Sequence, residues 1–137
     1  MPRNLTDIPS FTERGFMITQ HELGHALGLQ HTFTSGTMST EITRATTKAR
    51  PLSDDDIAGI SVLYPTGAFL SQMGSVAGRV TAGGVGMNLA SVVAISPTGP
   101  AISALTNPDG TYTIQGIPPG NYYLYVHPLP PALNGET

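Results

Sequence analysis

Apolar residues recur at helical spacing between positions 14 and 27, in a stretch that contains good helix formers and no proline. The apolar members of the pattern are Phe16, Ile18, Leu23, Ala26 and Leu27. Gly28 follows them, and glycine readily takes the left-handed conformation that closes the last turn of a helix. The pattern therefore predicts a helix over residues 14–27 that ends at Gly28.

A second helix is predicted after a polar stretch. Residues 32–50 are rich in Thr, Ser and Gly, which predicts an irregular loop. Ser53 can cap the helix that follows, because Asp56 stands three residues further on as in a capping box. The Pro-Thr-Gly sequence at 65–67 stops this helix. Its apolar face consists of Ile57, Ile60, Leu63 and Tyr64.

The period of the apolar pattern changes to two after Ser75, which is typical of strands. Turn residues at 107–110 predict a tight hairpin, and those at 116–120 predict a longer bend. The predicted strands are 76–80, 91–95, 101–106, 111–115 and 122–126. Helices followed by antiparallel strands predict an α+β protein of two units. The predicted divisions are a first unit at 1–67, a linker at 68–73, a β-sandwich at 74–128, and a Pro-rich linker or truncated end at 129–137.

Composition narrows the classes of function. The 137 residues are 39% hydrophobic and 11% charged, which predicts a folded chain rather than a disordered one. A net charge of −3 without a basic cluster gives no electrostatic footprint for nucleic acid. The absence of cysteine restricts any metal site to histidine and carboxylate ligands. No run approaches the ~20 apolar residues of a membrane span, and the first residues lack the apolar core of a signal peptide.

The strongest chemical pattern is the sequence HELGHALGLQH at residues 21–31. Two histidines four residues apart share one helix face, so His21 and His25 can direct their Nε2 atoms at one ion. Gly28 lets the chain swing back and deliver His31 as a third ligand. Three neutral imidazoles leave a fourth zinc position for a water, whose pKa falls toward ~7, and Glu22 can accept its proton. The pattern predicts zinc-dependent hydrolysis of peptide bonds.

The full pattern H-E-x-x-H-x-x-G-x-x-H resembles the metzincin clan of zinc metalloproteases. The sequence SGTMS at 35–39 is similar to the Met-turn of that clan, which implies that Met38 forms an apolar floor under the zinc histidines. The sequence LSDDDIAGISVLY at 52–64 resembles the closing helix of the matrixins, the matrix-metalloprotease branch. This resemblance implies that Asp55 and Asp56 tie the closing helix to the Met-turn region.

Two positions depart from other branches of the clan. Thr40 stands where astacin-like and serralysin-like enzymes have a Tyr ligand, and Thr32 stands where adamalysin-like enzymes have Asp. A matrixin-like or unclassified bacterial-type metzincin fits best. The resemblance implies one catalytic Zn2+, a peptide or protein substrate, and an extracellular full-length protein. It also implies structural Ca2+ in the full-length protein, for which no site is identifiable in this chain.

The segment ahead of the zinc motif is short for a metzincin. In that clan a twisted sheet precedes the active-site helix, and its edge strand holds the substrate. Twenty residues precede His21, too few for a multi-stranded sheet, so the chain is expected to hold the C-terminal part of a catalytic domain. The first 67 residues are then expected to be weakly folded and poorly active alone. Without the sheet that would cover them, the apolar side chains of the active-site helix are expected to be exposed; they are Phe16, Ile18, Leu23 and Leu27.

The second half contains GSVAGRV at 74–80, TNPDGTYTI at 106–114 and IPPGNYY at 117–123. Together these pieces resemble the carboxypeptidase regulatory-like domain, a small transthyretin-like β-sandwich. The resemblance covers residues 74–128. It implies a module that accompanies a secreted enzyme and does not itself catalyse.

Three functional hypotheses follow. The first is a zinc endopeptidase, or its C-terminal part, with ligands at His21, His25 and His31 and with Glu22 as general base. The second is a catalytically incompetent fragment that acts as a zinc-binding and β-sandwich binding or targeting module. The third is a zincin of another type, in which Glu41 is the third ligand. The sequence defines neither the cleavage specificity nor the oligomeric state.

Overall fold

The computed structural model describes residues 10–34, 36–39, 52–99 and 101–128. Several predictions concern residues outside these ranges. They are the third-ligand hypothesis for Glu41, most of the polar loop at 32–50, and the Pro-rich segment at 129–137. The departure at Thr40 likewise rests on the sequence alone.

Helix α1 spans Phe11–Ala26 and begins earlier than predicted. Ser10 caps it: the Ser10 hydroxyl accepts the Glu13 N–H at 3.2 Å, and the Glu13 carboxylate accepts the Ser10 N–H at 2.7 Å. This reciprocal pair satisfies two backbone donors that the first turn would otherwise leave unpaired. Gly28 has a φ of +95°, which confirms the left-handed residue predicted after the helix.

Helix α2 spans Asp54–Leu63, and its predicted start is confirmed. The Ser53 hydroxyl accepts the Asp56 N–H at 3.2 Å, and the Asp56 carboxylate accepts the Ser53 N–H at 2.9 Å. A one-turn helix, α3 at Phe69–Gln72, lies inside the segment predicted as a linker. Among the described residues, no helix is long and apolar enough to cross a membrane.

Seven strands are present in the part of the chain that the structure describes. Strand β1 pairs with β6, β2 with β3, and β4 lies between β5 and β7, all antiparallel. Five strands were predicted, and the β2–β3 hairpin was missed because two-residue strands carry too little alternation to recognise. Their bounds are β1 Gly74–Arg79, β2 Thr81–Ala82, β3 Val85–Gly86, β4 Ser91–Ile95, β5 Ala101–Leu105, β6 Thr111–Ile117 and β7 Tyr123–His127.

The hydrophobic core joins both larger sheets to helix α2. Buried side chains from β4, β5 and β6 form one cluster with Ala58 of α2. The cluster consists of Ala58, Val92, Ala94, Ile102, Ile114 and Ile117. The α+β class is confirmed. The layout in two separate units is not confirmed, because this core includes residues from both sides of the predicted boundary at 68–73.

Helix α1 contributes nothing to that buried cluster. Its buried residues are His21 and Gly24, on the side that faces the loop after the helix. The predicted exposure of its apolar side chains is confirmed, with Phe16 at 55% and Leu23 at 57% of full exposure. The other two predicted residues, Ile18 and Leu27, are 43% and 41% exposed, and Phe11 is exposed as well.

Candidate metal centre

Three histidine rings converge beside the C-terminal end of α1. His21 and His25 lie one helical turn apart, and the chain reverses at Gly28 to bring His31 back against them. The Nε2 atom of His21 lies 3.1 Å from that of His25 and 3.2 Å from that of His31. The remaining pair, His25 and His31, has its Nε2 atoms 3.1 Å apart. The three nitrogens thus form a nearly equilateral triangle.

Backbone carbonyls fix the protonation of two of these rings. The Nδ1 atom of His21 lies 2.8 Å from the Thr37 carbonyl, and that of His25 lies 2.9 Å from the Leu29 carbonyl. A carbonyl oxygen only accepts, so in each ring Nδ1 must carry the proton and donate it. In their neutral form, these rings turn the unprotonated Nε2 lone pair into the triangle, which is the form in which imidazole binds a metal.

The triangle has the dimensions of a zinc site. Two nitrogens at 2.0–2.1 Å from one tetrahedral ion lie roughly 3.3–3.4 Å apart, close to the separations found here. Lone pairs that point at each other without a shared proton repel, and a cation at the centre of the set turns that repulsion into attraction. Among the described residues, these histidines form the one group of three or more His, Cys, Asp or Glu able to hold a metal.

Met38 is 3% exposed and packs against helix α1. Its sulfur packs against Gly24, which stands between the two helical histidines, and a side chain on Gly24 would overlap that sulfur. The N–H of Thr32 donates to the Met38 carbonyl at 2.8 Å. A backbone hydrogen bond thus joins the loop after His31 to residues 36–39, the methionine segment.

Asp56 connects helix α2 to the methionine segment. Its carboxylate accepts the N–H of Thr37 at 2.8 Å and the N–H of Met38 at 3.1 Å. The Ser53 hydroxyl donates to the same carboxylate at 2.6 Å. Because the Thr37 carbonyl holds His21, Asp56 is connected to the histidine cluster through a single residue.

Asp55 makes its hydrogen bonds to a different pair of segments. It is 9% exposed, and its Oδ2 accepts the hydroxyls of Thr32 and of Thr34, the latter at 2.8 Å. From strand β5, Ser103 donates its N–H to Oδ1 at 2.7 Å and its hydroxyl to Oδ2 at 3.0 Å. The matrixin resemblance implied that both aspartates tie α2 to the Met-turn region. Asp55 forms its hydrogen bonds with the loop after His31 and with a strand of the second half.

Glu22 is exposed on α1, directly after the first histidine of the cluster. Its carboxylate is therefore accessible to solvent.

Several residues of the site were missed from the sequence. Gly24 carried a usable signal, because a glycine inside a helix costs about 1 kcal/mol relative to alanine and so marks a close approach. Thr32 and Thr34 carry no pattern that distinguishes them from other loop residues. Ser103 is separated from Thr32 by 71 positions, and no local motif indicates such a contact.

Comparison with known proteins finds similarity in the first half of the chain. Residues 10–65 match the model of the Matrixin family. Over 49 residues the chain is 45% identical to the 72 kDa type IV collagenase of Gallus gallus, a stretch that covers 36% of this chain and 7% of that relative. No solved structure matches the chain significantly.

Residues 10–65 are therefore similar to a family of metalloendopeptidases, and that family implies zinc. The chain spans only 7% of the length of its curated relative. The family match ends at residue 65, so the carboxypeptidase regulatory-like resemblance of residues 74–128 has no support from these comparisons.

Proposed function

We propose that the protein is a zinc-dependent endopeptidase of the matrixin type, in which His21, His25 and His31 bind the metal and Glu22 is the general base. The triangle of Nε2 atoms, with sides of 3.1–3.2 Å, carries this proposal. It is supported by the Matrixin match, which covers all four of these residues.

Each residue of the set has a separate proposed role. A zinc ion held by three neutral imidazoles supplies a Lewis acid that activates water and polarises a carbonyl. Glu22 directly follows His21 and is exposed, and its proposed role is to accept a proton from the attacking water and pass it to the leaving amine. The carbonyls of Thr37 and Leu29 keep His21 and His25 in the metal-binding tautomer.

Four further residues are proposed to support the site. Gly28 allows the reversal that returns His31, and Met38 gives the cluster an apolar floor. Asp56 holds the methionine segment, and Asp55 holds the loop after His31. None of the four is proposed to touch the substrate.

The substrate class proposed is a peptide or protein, and the full-length protein is proposed to be extracellular, as the matrixin resemblance implies. Residues 74–128 are proposed to form an accessory β-sandwich of the carboxypeptidase regulatory-like type. In support, the β1–β6 pair and the β5-β4-β7 sheet share one set of buried side chains.

A second candidate is a non-catalytic zinc-binding module. The observation in its favour is the exposed apolar surface of α1, the helix that carries two of the histidines; this surface includes Phe16 and Leu23. In this alternative the histidine cluster is structural, and the exposed face and the sheets serve binding or targeting.

Glu22→Gln separates the two candidates. For a peptidase, we expect this variant to bind one zinc per chain as the unaltered protein does, with kcat on a generic peptide lower by about 10²–10⁴-fold. Asp54→Asn is the matched control, because it neutralises a different exposed acid, the first residue of α2. It should leave both zinc binding and kcat unchanged. Zinc binding with no hydrolysis by any of the three proteins supports the non-catalytic module instead.

The ligand set is tested separately by metal titration. His31→Ala should weaken zinc binding strongly, and Glu41→Ala should leave it unchanged. The reverse result would favour the zincin with Glu41 as third ligand over the proposed metal site.

A further inference from the structure

Asp55 is a buried junction between the metal loop and the second half of the chain. Its carboxylate receives the hydroxyls of Thr32 and Thr34 on one side and two donors from Ser103 on the other. A buried carboxylate that accepts several hydrogen bonds is held in one orientation, since rotation would leave donors unpaired. The junction therefore fixes the loop and strand β5 relative to each other.

Ser103 contributes both a backbone and a side-chain donor to this junction. Strand β5 lies at the edge of the three-stranded sheet, so one side of its backbone has no neighbouring strand in that sheet. The Ser103 N–H donates to Asp55 from that edge, and its hydroxyl lies 3.0 Å from the Thr32 hydroxyl as well as from Asp55. This hydrogen bond from the strand edge fixes the position of the start of α2 relative to strand β5.

Thr32 carries the constraint to the metal site. It directly follows His31, its N–H donates to the Met38 carbonyl at 2.8 Å, and its hydroxyl donates to Asp55. With both ends of Thr32 held, the backbone leaving His31 has little freedom, and the imidazole of His31 is directed into the triangle.

A pocket of about 300 Å3 lies beside these hydrogen bonds. Residues of the loop and of strand β5 both line it, among them His31, Thr32 and Ser103. Atoms that line a pocket lack packing partners on that side, so the polar junction is an important connection at this place. The ring contact between Phe33 and His127, with centroids 6.3 Å apart, is a second and more distant link.

We propose that Ser103 is a positioning residue for the zinc site: through Asp55 and Thr32, strand β5 holds His31 in the geometry that binds the metal. The inference rests on the proposed function, since it assumes that the histidines bind zinc. It adds that the strands after residue 74 are part of the metal site's support.

The test is metal binding by the full 137-residue chain. In Ser103→Ala, which removes the hydroxyl, we expect zinc affinity measured by chelator competition to fall about tenfold, the lower end for partners of metal ligands. The visible spectrum of bound Co2+ should change shape, because it reports ligand geometry. Ser103→Thr, which restores a hydroxyl and suits a strand, should recover both readouts.

Ser91→Ala is the matched control. Ser91 lies in the adjacent strand β4 and is fully buried, and its hydroxyl has no hydrogen-bond partner among the described residues. Its loss should leave zinc affinity and the Co2+ spectrum unchanged. A further variant, Thr32→Val, breaks the same junction from the loop side. Combined with Ser103→Ala, it should weaken zinc binding no more than the larger single effect.

The outcomes separate this inference from the proposed function. The positioning role is overturned if Ser103→Ala binds zinc as tightly as the unaltered chain. It is also overturned if Ser103→Thr and Ser91→Ala lose as much zinc affinity as Ser103→Ala does. Either result leaves the zinc site standing. Fully additive effects of Thr32→Val and Ser103→Ala also overturn it. If Ser103→Ala loses its fold by circular dichroism, the comparison of Ser103→Thr with Thr32→Val decides by the same criteria. An unaltered chain that binds no zinc overturns both proposals.

Discussion

Helices α1 and α2 begin in the same way, with a serine and an acidic residue three positions later that exchange hydrogen bonds. Beyond the first turn their surroundings differ. Ala58 of α2 is part of the core formed by three strands, whereas α1 buries only His21 and Gly24. The capping boxes thus determine where both helices start, while tertiary packing stabilises one of them and the metal-binding loop contacts the other.

This difference in packing separates the metal ligands on α1 from the supporting residues on α2. The first two histidines lie on the helix with little burial, and the supporting aspartates lie on the helix that is packed into the core. The site is therefore held from the α2 side, through the methionine segment and the loop after His31. We expect changes in the core to affect the whole fold, and changes on the outer face of α1 to have little effect.

The largest expected effect is that of a core truncation. Ile114 is 1% exposed and lies in the cluster with Ala58, so Ile114→Ala should lower the free energy of unfolding by about 2–5 kcal/mol. Phe16→Ala, on the exposed face of α1, should change it by less than about 0.5 kcal/mol. Urea denaturation followed by circular dichroism measures both. Equal losses in the two variants would mean that α1 is packed as firmly as the core.

A pair of glycines within α1 distinguishes its two sides. A methyl group at Gly24 would overlap the Met38 sulfur, whereas one at Gly15 would meet no atom of the described residues within 4 Å. Gly24→Ala should therefore cost about 1–3 kcal/mol by overpacking, even though alanine favours the helix. Gly15→Ala should stabilise the helix by about 0.5–1 kcal/mol.

Thermal denaturation and zinc titration measure this pair of variants. Gly24→Ala should also weaken zinc binding, because it displaces the floor of the histidine cluster, and Gly15→Ala should not. A stabilising Gly24→Ala with unchanged zinc affinity would contradict the close contact between Met38 and α1.

The parts of this molecule that were predictable are those governed by short-range chemistry. The α2 capping box, the left-handed Gly28 and five of the strands follow from residues within a few positions of each other. The start of α1 was predictable too, from Ser10 and Glu13, and was missed. The junction at Asp55 was not predictable, because its partners Thr32 and Ser103 come together only when the sheet has formed.

The smallest expected effect lies in the second half, at the turn between β5 and β6. The hydroxyl of Thr111 donates to the Asp109 carboxylate at 2.6 Å and its N–H at 2.9 Å, and together with the Arg79 charge these contacts lower the pKa of Asp109. A carboxyl whose pKa is lower in the folded state stabilises the fold above its ordinary pKa. This contribution is lost as the pH falls through the lower folded value.

Asp109→Ala should therefore reduce the thermal midpoint slightly at neutral pH, and the difference from the unaltered chain should vanish in strong acid. Because the side chain is exposed, the shift should be smaller than that of Gly24→Ala. Thr111→Val removes the hydroxyl donor, and an NMR titration should then show the pKa of Asp109 nearer its ordinary value. Zinc affinity should stay unchanged in both variants, since this turn is not connected to the junction at Asp55. A weakened metal site in either variant would show that the second half supports the histidines more widely than through strand β5.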